Sequence, residues 1–253
     1  MSENCSSILS EPGNAYTRLA EHYDYMLNHV DYVKWYTYIK TLMYLYYGYP
    51  DTILEIGTGT GRFGGFFSRD NYNIIGMDLS LDMLRVAKMR AFNNFRVFCG
   101  DARSFSLNTN IDFIFSVHDT FNYLLTKKEL LAAFNCVANC MHAKSVFLFD
   151  LTTEYNIKEN FVDDEQTFKH GGSAIVWKNS YDNRDKVIRS IITFQNGKDF
   201  HCEEHLQRVY TKKEIVPILE ESGLYLVDQF ADYHFDPPTR KSIMENYIVK
   251  KRE

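Results

Sequence analysis

The run Ile53-Leu54-Glu55-Ile56-Gly57-Thr58-Gly59-Thr60-Gly61 constrains this chain more than any other segment. A short apolar stretch of strand character leads directly into a glycine-rich turn, and a helical pattern follows from Arg62. Glycines let a backbone turn tightly and approach a ligand closely, and the helix start beyond them offers unsatisfied amides. A dinucleotide fingerprint needs Gly-x-Gly-x-x-Gly, but here the third glycine falls one residue early at Gly61 and Arg62 takes the expected place. The rest of the first 150 residues must accommodate this strand, loop and helix. β-rich runs at Thr52–Ile56, Tyr72–Met77, Phe95–Cys99, Ile111–Val117 and Ser145–Leu151 alternate with helical stretches at Arg62–Arg69, Leu81–Ala91 and Lys127–Met141. That rhythm predicts a parallel sheet with helices on its faces and ligands bound at the strand C-terminal edge.

With Glu55 two residues before Gly57, the loop resembles the acidic-x-Gly-x-Gly-x-Gly pattern of class I S-adenosylmethionine-dependent methyltransferases. Three further segments carry the resemblance at the expected places. Gly76-Met77-Asp78-Leu79-Ser80 puts a carboxylate where that family binds both ribose hydroxyls. Gly100-Asp101-Ala102-Arg103 resembles the segment that reads the adenine edge. Ser116-Val117-His118-Asp119-Thr120-Phe121-Asn122-Tyr123-Leu124 follows the fourth strand at the family's reaction edge. The resemblance covers about residues 50–150. It implies S-adenosyl-L-methionine as cofactor, held by Tyr23, Glu55, Gly57, Thr58, Gly59, Gly61, Asp78, Leu79, Met83, Asp101, Ala102 and Val117. Glu55 would sit near the methionine ammonium, Asp78 would accept two charge-assisted hydrogen bonds from the ribose, and Met83 would lie on the adenine face. Asp78 alone would suit NAD equally; the loop spacing decides against it.

A looser likeness extends to small-molecule N-methyltransferases acting on sugars and glycine. It rests on Ala15-Tyr16 with Glu21-His22-Tyr23-Asp24, on Thr120–Leu124, and on Glu204-His205-Leu206-Gln207-Arg208-Val209-Tyr210-Thr211 before a late helix. Methyl transfer is an in-line displacement, so positioning contributes most, and an amine must be unprotonated to attack. Tyr16, Tyr123 and His118 are the candidate catalytic residues, with Tyr23 a further ring beside the methyl group.

The predicted fold is α/β: a Rossmann-like, mostly parallel methyltransferase sheet with an antiparallel last strand, an N-terminal tail and helical lid over residues 1–48, and a methyltransferase domain over 49–253. Within that domain an antiparallel β-meander is inserted at about 172–210. The meander would roof the pocket or join two copies of the chain, with Trp177, Arg189, His201, His205 and Arg208 read as exposed decoration. His201 and His205 lie in a strand pattern, so no metal site is expected. Asp236-Pro237-Pro238-Thr239 reads as a rigid loop between the last two strands.

A net charge of −5, with basic groupings only at Lys127-Lys128, Lys212-Lys213 and Lys250-Lys251-Arg252, argues against a nucleic-acid partner. The 5 cysteines form no paired framework, and neither a secretory signal nor an apolar run long enough to cross a membrane is present. A reduced, cytoplasmic enzyme with a small-molecule methyl acceptor is therefore expected. Within the same fold a tRNA or protein methyltransferase, or a cofactor-binding protein without catalysis, stays open.

Overall fold

The computed structural model describes residues 15–162 and 164–252, so the tail predicted over residues 1–12 lies outside the described residues. Two helices, α1 (Leu19–Met26) and α2 (Tyr32–Tyr46), precede the alternating region. That region runs β1 (Thr52–Ile56), α3 (Arg62–Arg69), β2 (Asn73–Asp78), α4 (Leu81–Arg90), β3 (Phe95–Cys99), β4 (Ile111–Ser116), a 3₁₀ turn (Thr120–Tyr123), α5 (Lys127–Cys140) and β5 (Met141–Thr152). A short α6 (Glu154–Asn160) leads to strands β6 (Glu165–His170), β7 (Ser173–Asp182), β8 (Val187–Asn196) and β9 (Asp199–Arg208). The chain closes with α7 (Lys212–Glu221), β10 (Leu224–Ala231) and β11 (Met244–Lys251).

The main sheet has the order β10-β11-β5-β4-β1-β2-β3. β3, β2, β1, β4 and β5 pair in parallel, and β11 runs antiparallel to both β5 and β10. Alternation along each strand feeds two cores. Leu54, Ile56, Phe147 and Phe149 pack with Leu130, Phe134, Ile215 and Leu219 of α5 and α7. Ile53, Phe113, Phe115 and Leu148 pack with Ile39, Leu42, Phe63 and Phe67 of α2 and α3 on the other face. Each such side chain, taken fully out of water, contributes roughly 1.5–3 kcal/mol before entropy is set against it.

The predicted lid therefore divides. α2 belongs mainly to the sheet's core, with Trp35 near its start reaching the site, and α1 with the turn before it covers the site. α1 packs Leu19 and Met26 against Ile175, Ile192 and Phe194 of the second sheet, joining lid and roof in one apolar cluster.

That second sheet corrects the predicted three-run meander. It has four strands in the order β6-β7-β8-β9, all antiparallel, and is separate from the main sheet. The added strand, Glu165–His170, is a mostly exposed edge strand carrying Glu165, Gln166 and Lys169, so it shows no apolar alternation. Its signal lies in the turn: Gly171 and Gly172 both take positive φ, as a tight hairpin requires. Helix α6 was also absent from the sequence reading; Thr153 caps it, its side chain accepting from the Asn156 amide. Cys202 is disulfide-bonded, which corrects the expected all-thiol chain, while Cys99, Cys136 and Cys140 are free. Among the described residues no helix is long and apolar enough to cross a membrane.

Candidate active site

The Gly57–Gly61 loop leaves β1 at the C-terminal edge of the sheet, and its shape needs its glycines. Gly57 has φ +74°, and a Cβ there would fall 2.4 Å from the Thr120 Oγ1. Gly61 has φ +76°, and its Cβ would meet the Ala87 Cβ at 2.8 Å. The amides of Gly57 and Thr58 donate to the Met77 carbonyl at 2.8 and 2.9 Å, locking the loop onto β2. At the end of β2, Asp78 accepts from the Gly59 amide at 2.8 Å and the Ser80 amide at 2.9 Å. Burial raises its carboxyl above the usual range against those two amides.

A cavity of about 340 Å³ opens beside this loop, and the loop's Gly57 and Gly59 form part of its wall. Among the predicted cofactor residues, Tyr23, Asp78, Leu79, Met83, Asp101 and Ala102 also line it. Glu55, Thr58, Gly61 and Val117 do not. Glu55 is 2% exposed and accepts from the Thr58 hydroxyl at 2.6 Å, inside the base of the loop; burial pushes its carboxyl up to about 8. Gly61 and Val117 are packed inside the fold. Arg103, the only lysine or arginine on this wall among the described residues, is neutralised by Asp101 at 2.7 Å and Glu129 at 2.6 Å.

A second cavity, about 630 Å³, lies behind the first. Tyr16, Tyr23, His118 and Tyr123 line both, so these four rings form the partition between them. The inner chamber is roofed by one face of the four-stranded sheet, because Trp177 pairs with Ile192, Asn179 with Ser190, and Ser190 with His205 across the strands. β9 serves both cavities through its alternation: Glu204 and Leu206 face the outer one, His205 and Gln207 the inner. Trp177 and His205 are thus wall residues, not the exposed decoration expected of them. Arg189 pairs with Glu204 at the surface and Arg208 with Glu214, while His201 lies 3.6 Å from Glu203.

Hydrogen bonds fix the partition. The Tyr16 and Tyr123 hydroxyls are 2.5 Å apart, and the Tyr123 hydroxyl lies 3.1 Å from His205 Nδ1. Burial raises both phenols well above their ordinary value, so both stay protonated. Tyr16, with φ 66°, is held by Glu203, a fully buried residue of β9 that accepts the amides of Tyr16 (3.0 Å), Arg18 and Leu19 (3.2 Å). Burial raises the Glu203 carboxyl, but His205 at 3.4 Å and these amides outweigh it, holding the group ionised. Asp24 anchors the other side of α1, pairing with Arg62 at 2.9 Å, with Arg90, and with the Thr60 hydroxyl at 2.8 Å.

The turn after β4 is strained. His118 and Asp119 have φ 66° and 54°, a left-handed pair costly for residues with a Cβ. Asp150, at 0% exposure in β5, accepts the two amides at 2.8 and 2.7 Å and takes the Tyr233 hydroxyl as well. Burial pushes the Asp150 carboxyl up to about 6. His118 rests against Trp35 at 4.9 Å between ring centres, and burial lowers its imidazole to about 4, so it is neutral near pH 7. Sequence reasoning missed Asp119, Asp150 and Glu203; the two positive-φ residues after a strand end carry no composition signal.

A glycine loop after β1, an acid at the end of β2 and an antiparallel penultimate strand in this sheet order define the class I methyltransferase fold. Residues 53–144 match the family described as a methyltransferase domain. YqeM of Bacillus subtilis (strain 168), a protein named as a candidate methyltransferase, is 25% identical over 90% of this chain and 93% of its own length. An S-adenosylmethionine-dependent methyltransferase from Clostridium acetobutylicum superposes with a TM-score of 0.81 at 24% identity, covering 95% of this chain and 100% of that one. The sugar N-methyltransferase KedS8 from Streptoalloteichus gives 0.74 at 14% identity over 96% and 95%. Residues 53–144 thus carry a methyltransferase domain, and the chain as a whole has the fold of the S-adenosylmethionine-dependent methyltransferases it resembles.

The outer cavity fits that cofactor on its own chemistry. Asp78, which has no cationic partner among the described residues, suits paired hydroxyls, Arg103 is already neutralised, and the aromatic lining suits a sulfonium.

Proposed function

We propose that the chain methylates an amine nitrogen of a small polar metabolite. The observation that carries this reading is the four-ring partition shared by the two cavities. The outer cavity takes the cofactor and the inner one the acceptor, and the reacting atoms meet between Tyr16, Tyr23, His118 and Tyr123. Bound S-adenosylmethionine supplies an electrophilic methyl group on a cationic sulfur.

The chain's own residues do the rest. Asp78 would hold the ribose hydroxyls, and Leu79, Met83 and Ala102, which line the same cavity, would contact the adenine. The Tyr16–Tyr123–His205 chain of hydrogen bonds fixes the phenol oxygens where they can accept from an attacking N–H group. His118, kept neutral by burial, puts no positive charge beside the sulfonium. Enclosure by α1 and the second sheet excludes water, and correct placement of nucleophile and methyl group accounts for about 7–11 kcal/mol of barrier. The likeness to a sugar N-methyltransferase supports nitrogen as the acceptor atom. The acidic chain supports a small molecule over a polyanion.

Calorimetric titration with S-adenosylmethionine, S-adenosylhomocysteine and NAD, followed by mass spectrometry on a panel of small amines, tests the reading. Binding of the first two alone and a mass gain of one methyl on an amine are expected. Tyr16→Phe and Tyr123→Phe should lower turnover and leave cofactor affinity nearly intact; equal loss of both would mean that the partition belongs to the cofactor site.

A further inference from the structure

Most carboxylates around the site are matched by a cation or by backbone amides, Asp78 by two of the latter. Asp24 has Arg62 and Arg90, Asp101 has Arg103, Glu203 has three amides and His205, and Asp150 has two amides and a phenol. Asp119 has no cationic partner among the described residues. The Gln207 side-chain amide donates to the Asp119 carbonyl oxygen at 3.5 Å, while burial, with Asp150 nearby, pushes the Asp119 carboxyl up to about 8. An enclosed acid is costly unless a positive charge meets it, and here the fold holds that acid in place on a strained left-handed backbone.

Asp119 faces the inner chamber. Trp35, Trp177, Tyr16 and Tyr23 supply aromatic walls, Asp31 stands at the exposed end, and no lysine or arginine lines the space among the described residues. His205, 4% exposed, also lines it, with its Nε2 3.4 Å from Glu203. Such a wall repels an anion and attracts an organic cation both by charge and through its π-faces.

We infer that the inner chamber binds a small organic ammonium that carries neither phosphate nor carboxylate, with Asp119 as its counter-ion. This rests on the reading of that chamber as the acceptor site and narrows its substrate class. An ammonium beside a carboxylate holds the same proton as an amine beside a carboxylic acid. The proton therefore passes within the pair: the N–H bond breaks, the O–H bond forms on Asp119, and the nitrogen lone pair is freed without exchange with solvent. The phenols of the partition, protonated throughout, only orient the nitrogen.

The test uses three probes of one shape, benzylammonium, benzyl alcohol and benzoate, titrated into the full chain saturated with S-adenosylhomocysteine. Benzylammonium should bind at least about tenfold tighter than the alcohol, as a charge-assisted hydrogen bond implies, and benzoate more weakly than either. Asp119→Asn should remove about 10- to 100-fold of the cation's affinity and leave that of the alcohol and of S-adenosylhomocysteine unchanged. Asp119→Glu, which keeps the charge, should keep the order of the three probes. Absence of a cation preference in the unaltered chain, or its survival in Asp119→Asn, overturns the inference. Should Asp119→Asn fail to fold, the probe order in the unaltered chain decides alone. Cation preference without methylated product from any amine would leave the charge class standing and sink nitrogen methylation, so the two failures are distinguishable.

Discussion

Replacing Glu203 by alanine should open the lid without unfolding the sheet. The carboxylate accepts three backbone amides, those of Tyr16, Arg18 and Leu19. Hydrogen bonds to a charged group contribute about 1.5–3 kcal/mol each, so the direct ceiling for three is about 4.5–9 kcal/mol. That ceiling is not reached, because the amides regain water if the segment lifts away. The loss saturates at the docking free energy of residues 15–26, which rests on the burial of Leu19 and Met26, roughly 2–3 kcal/mol apiece, and on the Asp24 ion pairs. Amide hydrogen exchange reads this directly. In Glu203→Ala the amides of α1 should lose about 100-fold in protection, equivalent to about 2.7 kcal/mol, while those of β1, β4 and β5 keep theirs. Glu203→Gln, which retains one acceptor oxygen, should fall between. Turnover should drop with lid protection, since Tyr16 leaves the partition with the lid. Unchanged exchange in α1 of the alanine variant would refute the clasp; loss spread evenly over the main sheet would show that Glu203 holds the fold as a whole.

Asp78→Ala should weaken S-adenosylmethionine by about 3 kcal/mol, from two hydrogen bonds to one charged group at about 1.5 each, and an unchanged dissociation constant by calorimetry would rule out the ribose assignment. The loss of stability as pH rises toward 8 should respond to Glu55. Its folded carboxyl, at about 8, lies above the ordinary 4.5, so its contribution is complete below about pH 4.5 and is lost as pH rises through 8. At about 1.4 kcal/mol per pH unit the loss has a ceiling near 5 kcal/mol. Glu55→Gln cannot ionise and keeps an acceptor for the Thr58 hydroxyl, so its urea midpoint should gain on that of the unaltered chain from pH 5 to pH 8. A constant difference between the two across that range would show that Glu55 stays ionised within the fold.

The parts of this enzyme that were legible in its sequence are those whose cause is local. β1, its glycine loop and α3 were placed residue for residue, because an apolar run, three glycines and a helical face sit within seventeen positions. Asp78 followed from the family resemblance of Gly76-Met77-Asp78-Leu79-Ser80, and the structure makes it the last residue of β2. The inner chamber had no such signature. Its walls come from α1, the turn after β4, α6 and all four strands of the second sheet, and Tyr16 meets His205 at 4.7 Å across 189 positions of chain. Period-two alternation would ordinarily have sorted the inward from the outward face of β9, but both faces are covered. Glu204 and Leu206 look onto one cavity and His205 and Gln207 onto the other, so polar side chains on either face read as solvent-exposed.

Asp119 was harder still. Nothing beside it in the sequence separates it from a turn-forming aspartate, since its exposure to the chamber depends on two successive left-handed residues. Those are held by Asp150, 31 positions further along. The same dependence explains why the acceptor half of the reaction is harder to infer than the cofactor half. The glycine loop of the proposed cofactor site is one contiguous solution to a backbone problem. The acceptor wall is assembled from side chains that each satisfy an ordinary packing rule, and its charge balance exists only once they are brought together.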